Sequence, residues 1–419
     1  MPDLNLPTSS GMPDRPKVLI VGGGFGGVRV ALGLTKRRDL TVTLLSDKPY
    51  FEYLPALYRV ATAMAPLGAI VPLSEIIKGK PVEVIEDRAV VINPETKTVT
   101  GSSGKIHEYD FLVLALGSEV NYYGLSVLKP LTFGLKSVRD ALRLYEHLDE
   151  LFSSMEKASD TQRVESGHVV VIGGGATGTE LAGELTADLR RLAKEYSFDP
   201  SYITVDLIDS GSRLIAELPE EVSARVQERL RDLDVNIFLH RSVVGEHVKE
   251  IYLKDMHLKT KTVIWAAGVS PNELYSKIEG LSLDGKGRVV VDEFLRAKGY
   301  ENIFIVGDGA SDPYAGTAQT AIREGHYVAG LISRKASGGK PRPYSPRKSS
   351  FAVPVGTGWA SVSVGNLKIN GRVGWWLRRL GDMRFYLSIL PPLKALKFFF
   401  SSSGLNNIDT LISYVEKSN

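Results

Sequence analysis

One local pattern, written twice, limits what this chain can fold into. Residues 18–27 read Val18-Leu-Ile-Val-Gly22-Gly-Gly24-Phe25-Gly26-Gly27, an apolar run entering five glycines, with a helix-like segment after it. The pattern predicts a buried parallel strand, a tight turn and a helix N-terminus. In the spacing Gly22-x-Gly24-x-x-Gly27 the first glycine permits the turn. The second lets backbone approach a pyrophosphate, and the third lets helix and strand pack closely. Backbone N–H groups and the helix dipole then hold the phosphates. The arrangement returns 151 positions later at Gly173-Gly-Gly175-Ala176-Thr177-Gly178, again after an apolar run, residues 169–172. One match of this kind says little. Two imply two dinucleotides, and two dinucleotides point to a flavin and a nicotinamide.

A ribose-binding acid commonly ends the second strand of such a unit. In the first unit that strand is read at residues 40–45 and closed by Ser46-Asp47. Asp47 stands one position late, with Ser46 in the expected place; the alternative is a turn aspartate before Lys48-Pro49. In the second unit the strand at 203–208 ends in Asp209, placed for a ribose. A carboxylate there repels a 2′-phosphate and favours NADH over NADPH; a turn aspartate before Ser210-Gly211 is the other reading. The buried strand read from residue 109 ends in Ala115-Leu-Gly117, and the same Ala-x-Gly ending recurs in the stretch from residue 263, at Ala266-Ala267-Gly268, where glycine suits backbone passing a ligand. A strand at 302–306 runs into Gly307-Asp308, an acid placed for a ribitol or ribose hydroxyl. The helix starting near Thr317-Ala318-Gln319 would aim its positive dipole end at a reduced, anionic isoalloxazine ring.

The remaining segments are read more coarsely. Residues 82–85, 89–92 and 98–100 suggest short antiparallel strands, 288–292 a strand, and 137–157 a polar helix. A linker is expected at 158–167, an amphipathic helix at 216–233, a second linker at 333–350 and a short β segment at 351–369. The aromatic stretch 50–62 is either a helix packed on the sheet or a wall beside a flavin or its acceptor. The domain reading is 1–15 a disordered leader rather than a signal peptide, 16–130 with 288–345 an FAD-binding domain, 131–287 an inserted NADH-binding domain, and 346–419 a C-terminal region.

Composition narrows the chemistry. The 419 residues include no cysteine, which excludes structural disulfides, thiolate metal sites and redox-active cysteine pairs. The seven histidines show no metal-ligand spacing, and no metal site is expected. Net charge is +3, but residues 334–400 hold thirteen Lys/Arg against the single acid Asp382, a local +12 that leaves about −9 for the rest. In residues 372–400 six bases alternate with Trp375, Trp376, Phe385, Tyr386 and Phe398-Phe-Phe400 at helical spacing, broken at Pro391-Pro392. Such a mixture sits in a lipid headgroup layer. A dimer interface or a helix pair packed on the core is the alternative, and a nucleic-acid patch does not explain the phenylalanine run.

The two glycine motifs, Trp265-Ala-Ala-Gly268-Val, Val306-Gly307-Asp308 and Thr317-Ala318-Gln319 together resemble the two-dinucleotide-binding-domain flavoproteins. Within that group the chain most resembles type II NADH:quinone oxidoreductases, over about residues 17–400. The resemblance implies an α/β fold of two Rossmann-like dinucleotide-binding domains, glutathione-reductase-like, with the NADH domain inserted in the FAD domain and a C-terminal amphipathic membrane-binding segment. It implies FAD and NADH as cofactors and a quinone as acceptor. It also implies Gln319 in the quinone site and Glu180 between nicotinamide and flavin; a helix-capping role is the other reading of Glu180. The absence of cysteine removes the thiol chemistry of glutathione-reductase-like and sulfide-oxidising relatives.

One position departs from the family pattern Ala-Gln-x-Ala-x-Gln, which here closes on Arg323. A cation there alters quinone headgroup preference or signals another acceptor. The expected reaction is ping-pong hydride transfer through flavin N5, by a peripheral homodimer on the cytoplasmic face of the membrane. The rivals are a soluble reductase of ferredoxin or rubredoxin and an NADH-responsive flavoprotein resembling apoptosis-inducing factors.

Overall fold

A computed structural model of the protein describes residues 15–64, 66–247, 250–253, 257–365, 367–401 and 408–417. Apart from Arg15, the leader expected at 1–15 lies outside the described residues. The chain forms two compact units. One is Met1–Pro49, Ile77–Gly117 and Pro271–Arg347; the other is Tyr50–Ile76, Ser118–Ser270 and Lys348–Asn419.

The first unit is built on a five-stranded parallel sheet in the order Ile303–Ile305, Phe111–Leu114, Lys17–Val21, Thr41–Ser46, Glu83–Glu86. Strands buried on both faces need continuous apolar runs, and Val18, Leu19, Ile20 and Val21 are buried throughout. The chain runs outward in one direction from the first strand, then returns to its other side with Phe111–Leu114. That reversal puts a topological switch point at the carboxyl end of Lys17–Val21. On one face the helix Phe25–Leu34 packs against the closing helix Ala318–Ala336. Their contact is close because small residues meet there. A Cβ on Gly325 would lie 2.6 Å from Gly26 O, and one on Gly33 would lie 2.5 Å from the Ala329 Cβ.

The second unit repeats the plan: Phe133–Gly134, Thr262–Trp265, His168–Ile172, Thr204–Ile208, Val235–Phe238, all parallel, with the switch point after His168–Ile172. Its long helix, Ala176–Glu195, follows the second glycine turn. Tyr50–Ile76 belongs to this unit, because its helix Leu57–Ala61 packs on the helices Val138–Ser153 and Ala176–Glu195 rather than on a sheet. The C-terminal part adds an antiparallel sheet over Phe351–Pro354, Ala360–Val364 and Leu367–Ile369, and the helices Arg372–Ile389 and Pro392–Ser401. Pro391 stands between these helices and Pro392 opens the second, as the missing N–H of proline dictates.

Several local expectations are corrected. The stretch 82–85 is not antiparallel: Glu83–Glu86 extends the parallel sheet beside Thr41–Ser46. Residues 288–292 form isolated bridges at Val289 and Val291 instead of a strand. The expected linker 158–167 is largely a helix, Asp160–Gly167, started by a capping box between Ser159 and Gln162. The amphipathic helix begins at Glu220 rather than 216, because Pro219 occupies its N-cap.

The close helix contact yields a prediction. Gly325→Ala drives a methyl group into the Gly26 carbonyl and costs roughly 1–3 kcal/mol of stability, as overpacking does. The better helix propensity of alanine returns at most about 1 kcal/mol. Urea unfolding followed by far-UV circular dichroism measures the effect; an unchanged midpoint would show that the helices have slack.

Candidate functional site

The first glycine turn stands at the switch point of its unit. Gly22 has φ +112°, and its N–H donates to Leu45 O at 2.8 Å. A Cβ on Gly22 would overlap Ala115 O, and one on Gly27 would overlap Gly22 O, so both positions require glycine. A Cβ on Gly26 would lie 2.5 Å from the Val306 Cγ1. Gly24 meets nothing within 4 Å on its outer side, which leaves the main chain open to a ligand. Phe25 begins the helix, Gly24 caps it without a side-chain hydrogen bond, and its first turn has no acid. These are the features of a phosphate cradle. Ala115 therefore meets Gly22, with Gly117 just beyond it, and Val306 N–H donates to Leu114 O at 3.0 Å, which brings the Gly307-Asp308 turn to the same sheet end.

Ser46, by register, holds the place after Leu45. Its hydroxyl donates to Lys48 O at 2.8 Å, while the half-exposed Asp47 carboxylate lies 3.9 Å from Arg88. Thr317 caps the closing helix by accepting from Thr320 N–H at 3.1 Å, so Ala318 and Gln319 are its first two residues. Arg323 lies one turn further on. Its Nη2 donates to Thr320 Oγ1 at 3.2 Å and to Arg347 O at 2.7 Å, so the guanidinium ties down the segment after the helix.

The second turn repeats the first in detail. Gly173 has φ +112°, donates to Ile208 O at 2.8 Å, and has no room for a Cβ beside Ala266 O. Gly178 is closed off by Gly173 O, and Gly175 is open. Ala176, Thr177 and Gly178 form the first helical turn, and Ala267 and Gly268 continue the strand end that Gly173 faces. Asp209 is bound to the turn itself. Its carboxylate accepts from Gly174 N–H and from Gly211 N–H, each at 2.6 Å. Glu180 is the fifth residue of its helix, past the orphan N–H groups, so the capping reading does not hold. Burial pushes its carboxyl up to about 8. Arg378 and Arg59 pull the other way, and Glu184 adds to the rise.

Sequence reasoning missed the cluster that supplies those arginines. Asp382, 1 % exposed, accepts from Tyr53 OH at 2.6 Å and pairs with Arg378. Arg59 lies 3.6 Å and Arg379 3.8 Å from its other oxygen. Arg378 also donates to Pro55 O at 3.1 Å, and Arg379 stacks over Phe399 at 4.3 Å. A signal was present: Asp382 is the one acid among thirteen bases. The cluster makes the helix Arg372–Ile389 inside-out. Its charged Arg378, Arg379 and Asp382 point inward, while Val373, Trp376, Leu377, Leu380 and Leu387 are exposed, Trp376 at 61 %. Of the six bases counted for a headgroup layer, two are buried and Lys394 pairs with Glu75, which leaves Arg372, Arg384 and Lys397 outward. Among the described residues no helix is long and apolar enough to cross a membrane.

Comparison with known proteins agrees with this geometry. Residues 16–325 match the pyridine nucleotide-disulphide oxidoreductase family. The chain is 31 % identical to type II NADH:quinone oxidoreductase NdhA of Mycobacterium tuberculosis, over 88 % of this chain and 84 % of that protein. It is 25 % identical to the type II NADH:quinone oxidoreductase of Staphylococcus aureus strain MSSA476, over 90 % and 96 %. Among solved structures, NDH2 from Plasmodium falciparum in complex with NADH has the same fold, with a TM-score of 0.83 at 17 % identity over 93 % of this chain and 97 % of that one. The chain, with its two glycine cradles, thus belongs to the pyridine nucleotide-disulphide oxidoreductase family and, within it, to the type II NADH:quinone oxidoreductases.

Proposed function

We propose that this NADH:quinone oxidoreductase works by a ping-pong cycle, does not pump protons, and is attached peripherally to a membrane. The observation that carries the reading is the pair of matching glycine cradles in a chain without cysteine. The cradles fit two dinucleotides, FAD and NADH, and no thiol is present to take the electrons. We assign FAD to the first cradle and NADH to the second. Held by Gly22, Gly24 and Gly27 of the first cradle, FAD would supply the redox chemistry: a hydride acceptor at N5 for NADH and, in a separate half-reaction, a two-electron donor for a quinone.

The protein's part is binding, orientation and charge. In the first unit Gly22, Gly24 and Gly27 admit the pyrophosphate, Asp308 takes a ribitol hydroxyl, and the N-terminus of the closing helix favours added negative charge. Gln319, at that N-terminus, is assigned to the quinone. Arg323 is assigned to holding the Arg347 segment, which answers why a cation stands there. In the second unit Asp209, already held by two N–H groups, accepts from the adenosine ribose, and Glu180 stands against the nicotinamide. The exposed apolar face of Arg372–Ile389, continued by Leu393, Leu396 and Phe400, meets the lipid. The outward bases add on the order of 1 kcal/mol each at an anionic surface.

Three experiments test these assignments. Anaerobic stopped-flow mixing should show NADH bleaching the flavin with no acceptor present, and a quinone analogue restoring its colour in a second mix; bleaching without recovery would reject quinone as the acceptor. Glu180, held neutral at pH 7, ionises as pH passes about 8. The carboxylate then stabilises positive charge developing on the nicotinamide, so flavin reduction should speed up through that pH and lose the transition in Glu180→Gln. An identical profile in the variant would remove Glu180 from the chemistry. Trp376→Ser with Leu380→Ser removes two inserted side chains worth ~1.5–3 kcal/mol each, weakening sedimentation with anionic vesicles at least about a hundredfold. Undiminished sedimentation would reject the lipid face. Truncation before Gly371 is a poorer test, because it also removes the buried Asp382 and Tyr386.

A further inference from the structure

One acid in the first unit has no place in the mechanism above. Glu324 lies on the packed face of the closing helix, in step with Ala321, Val328 and Ile332, and is 0 % exposed. Its Oε2 accepts from Gly307 N–H at 2.5 Å, and its Oε1 is buried with no hydrogen-bond partner. Among the described residues no cation forms an ion pair with it. The groups around it are mostly acidic or neutral. Asp308 and Asp312 come from the loop after Ile303–Ile305, and Asp312 is itself buried, with Oδ1 accepting from Tyr314 N–H at 2.6 Å. Tyr275 and Tyr344 are near enough to interact with it electrostatically, and Glu324 contributes to the rise of both phenols. Arg323 precedes it on the helix but is turned to Thr320 and Arg347, and the Arg29 side chain packs beside Gly325.

A carboxylate buried without a cation is costly, and the group protonates instead. Burial pushes Glu324 up to about 8. The Gly307 N–H opposes the rise, Asp312 and Asp308 add to it, and Arg323 opposes it less. At neutral pH the uncharged acid is therefore the favoured form, with Oε2 accepting from Gly307 N–H. The backbone group it holds matters. Gly307, with φ +85°, joins the sheet end that faces the first cradle to Asp308.

We propose that Glu324 is a positioning residue of the first cradle: it fixes the Gly307-Asp308 turn as a neutral group, and its ionisation lowers the midpoint potential of the FAD held there. This rests on the assignment of FAD to that cradle. The sign follows from charge. Reduction places negative charge on the ring system, and a carboxylate behind the turn, in surroundings of low dielectric, opposes it. A purely structural hydrogen bond would act equally at all pH.

The test is the flavin midpoint potential of the holoenzyme, measured by spectroelectrochemistry from pH 6.5 to 9.5, with FAD content recorded. Glu324→Gln keeps an acceptor for Gly307 N–H and cannot ionise. Its potential should coincide with wild type at pH 6.5 and lie above it at pH 9.5. Asp312→Asn removes a charge that holds the proton on Glu324, so the extra fall should begin at lower pH. A constant offset between wild type and Glu324→Gln overturns the proposal. So does an unmoved onset in Asp312→Asn, which decides alone if Glu324→Gln fails to retain FAD. A wild-type chain that binds no FAD overturns the cofactor assignment as well, whereas parallel curves with FAD bound overturn only the role of Glu324.

Discussion

Main chain meets main chain at each switch point, with no side chain between, and the rest of each unit depends on that approach. Gly22 lies against Ala115 O and Gly173 against Ala266 O, at distances that a Cβ would violate. Because the backbones touch, the carboxyl ends of adjacent strands converge and the following helix starts directly over them. The orphan N–H groups of that helix then gather at one point, which is what makes an anion site. The same closeness is carried outward in the first unit, where Gly26, Gly33 and Gly325 let two helices press together. Helix, turn and strand thus depend on the same absence of side chains.

A second constraint is the burial of Asp382. One carboxylate organises Tyr53, Arg59, Arg378 and Arg379, and so pins the C-terminal helix Arg372–Ile389 by its polar side. Breaking a buried pair by removing one partner strands the other charge, which costs about 3–5 kcal/mol. The helix is therefore fixed to its unit through charge, and its apolar residues are left to face outward. An exposed apolar stripe on a helix whose polar side is buried is otherwise unfavourable, which is why it marks a contact surface. The cluster also supplies the arginines that oppose the rise at Glu180. Anchoring of the helix and the charge state at Glu180 are accordingly linked within one unit.

Both units hold a carboxyl that desolvation pushes up to about 8: Glu180 in one and Glu324 in the other. The causes differ in a useful way. Glu180 has two arginines working against burial, whereas Glu324 has acids for neighbours and a single N–H bond. Neither is identifiable as a proton-holding group from its position in the chain. Glu180 lies inside a recognisable motif, and Glu324 looks like an ordinary helix residue until the face it occupies is known.

Much of this protein was legible in the sequence because the decisive interactions are local. Glycine at Gly22, Gly27, Gly173 and Gly178 is demanded by backbone closeness within a few residues, so spacing alone exposes both cradles. Apolar runs such as residues 18–21 and 169–172 mark strands buried on both faces, and together these determined the α/β class and the two dinucleotide units. Other features were decided only in three dimensions, since they join residues far apart in the chain. Glu83–Glu86 looks amphipathic but completes a parallel sheet through its pairing with Thr41–Ser46. Arg378 and Arg379 look like surface bases, yet turn inward because Asp382 and Tyr53 are there to receive them. Arg323 looks like a change at a quinone site, yet its guanidinium meets a carbonyl 24 residues along the chain. The sequence by itself determined where backbone must approach backbone; only the tertiary structure decided which charges are buried, because burial depends on partners that no local spacing records.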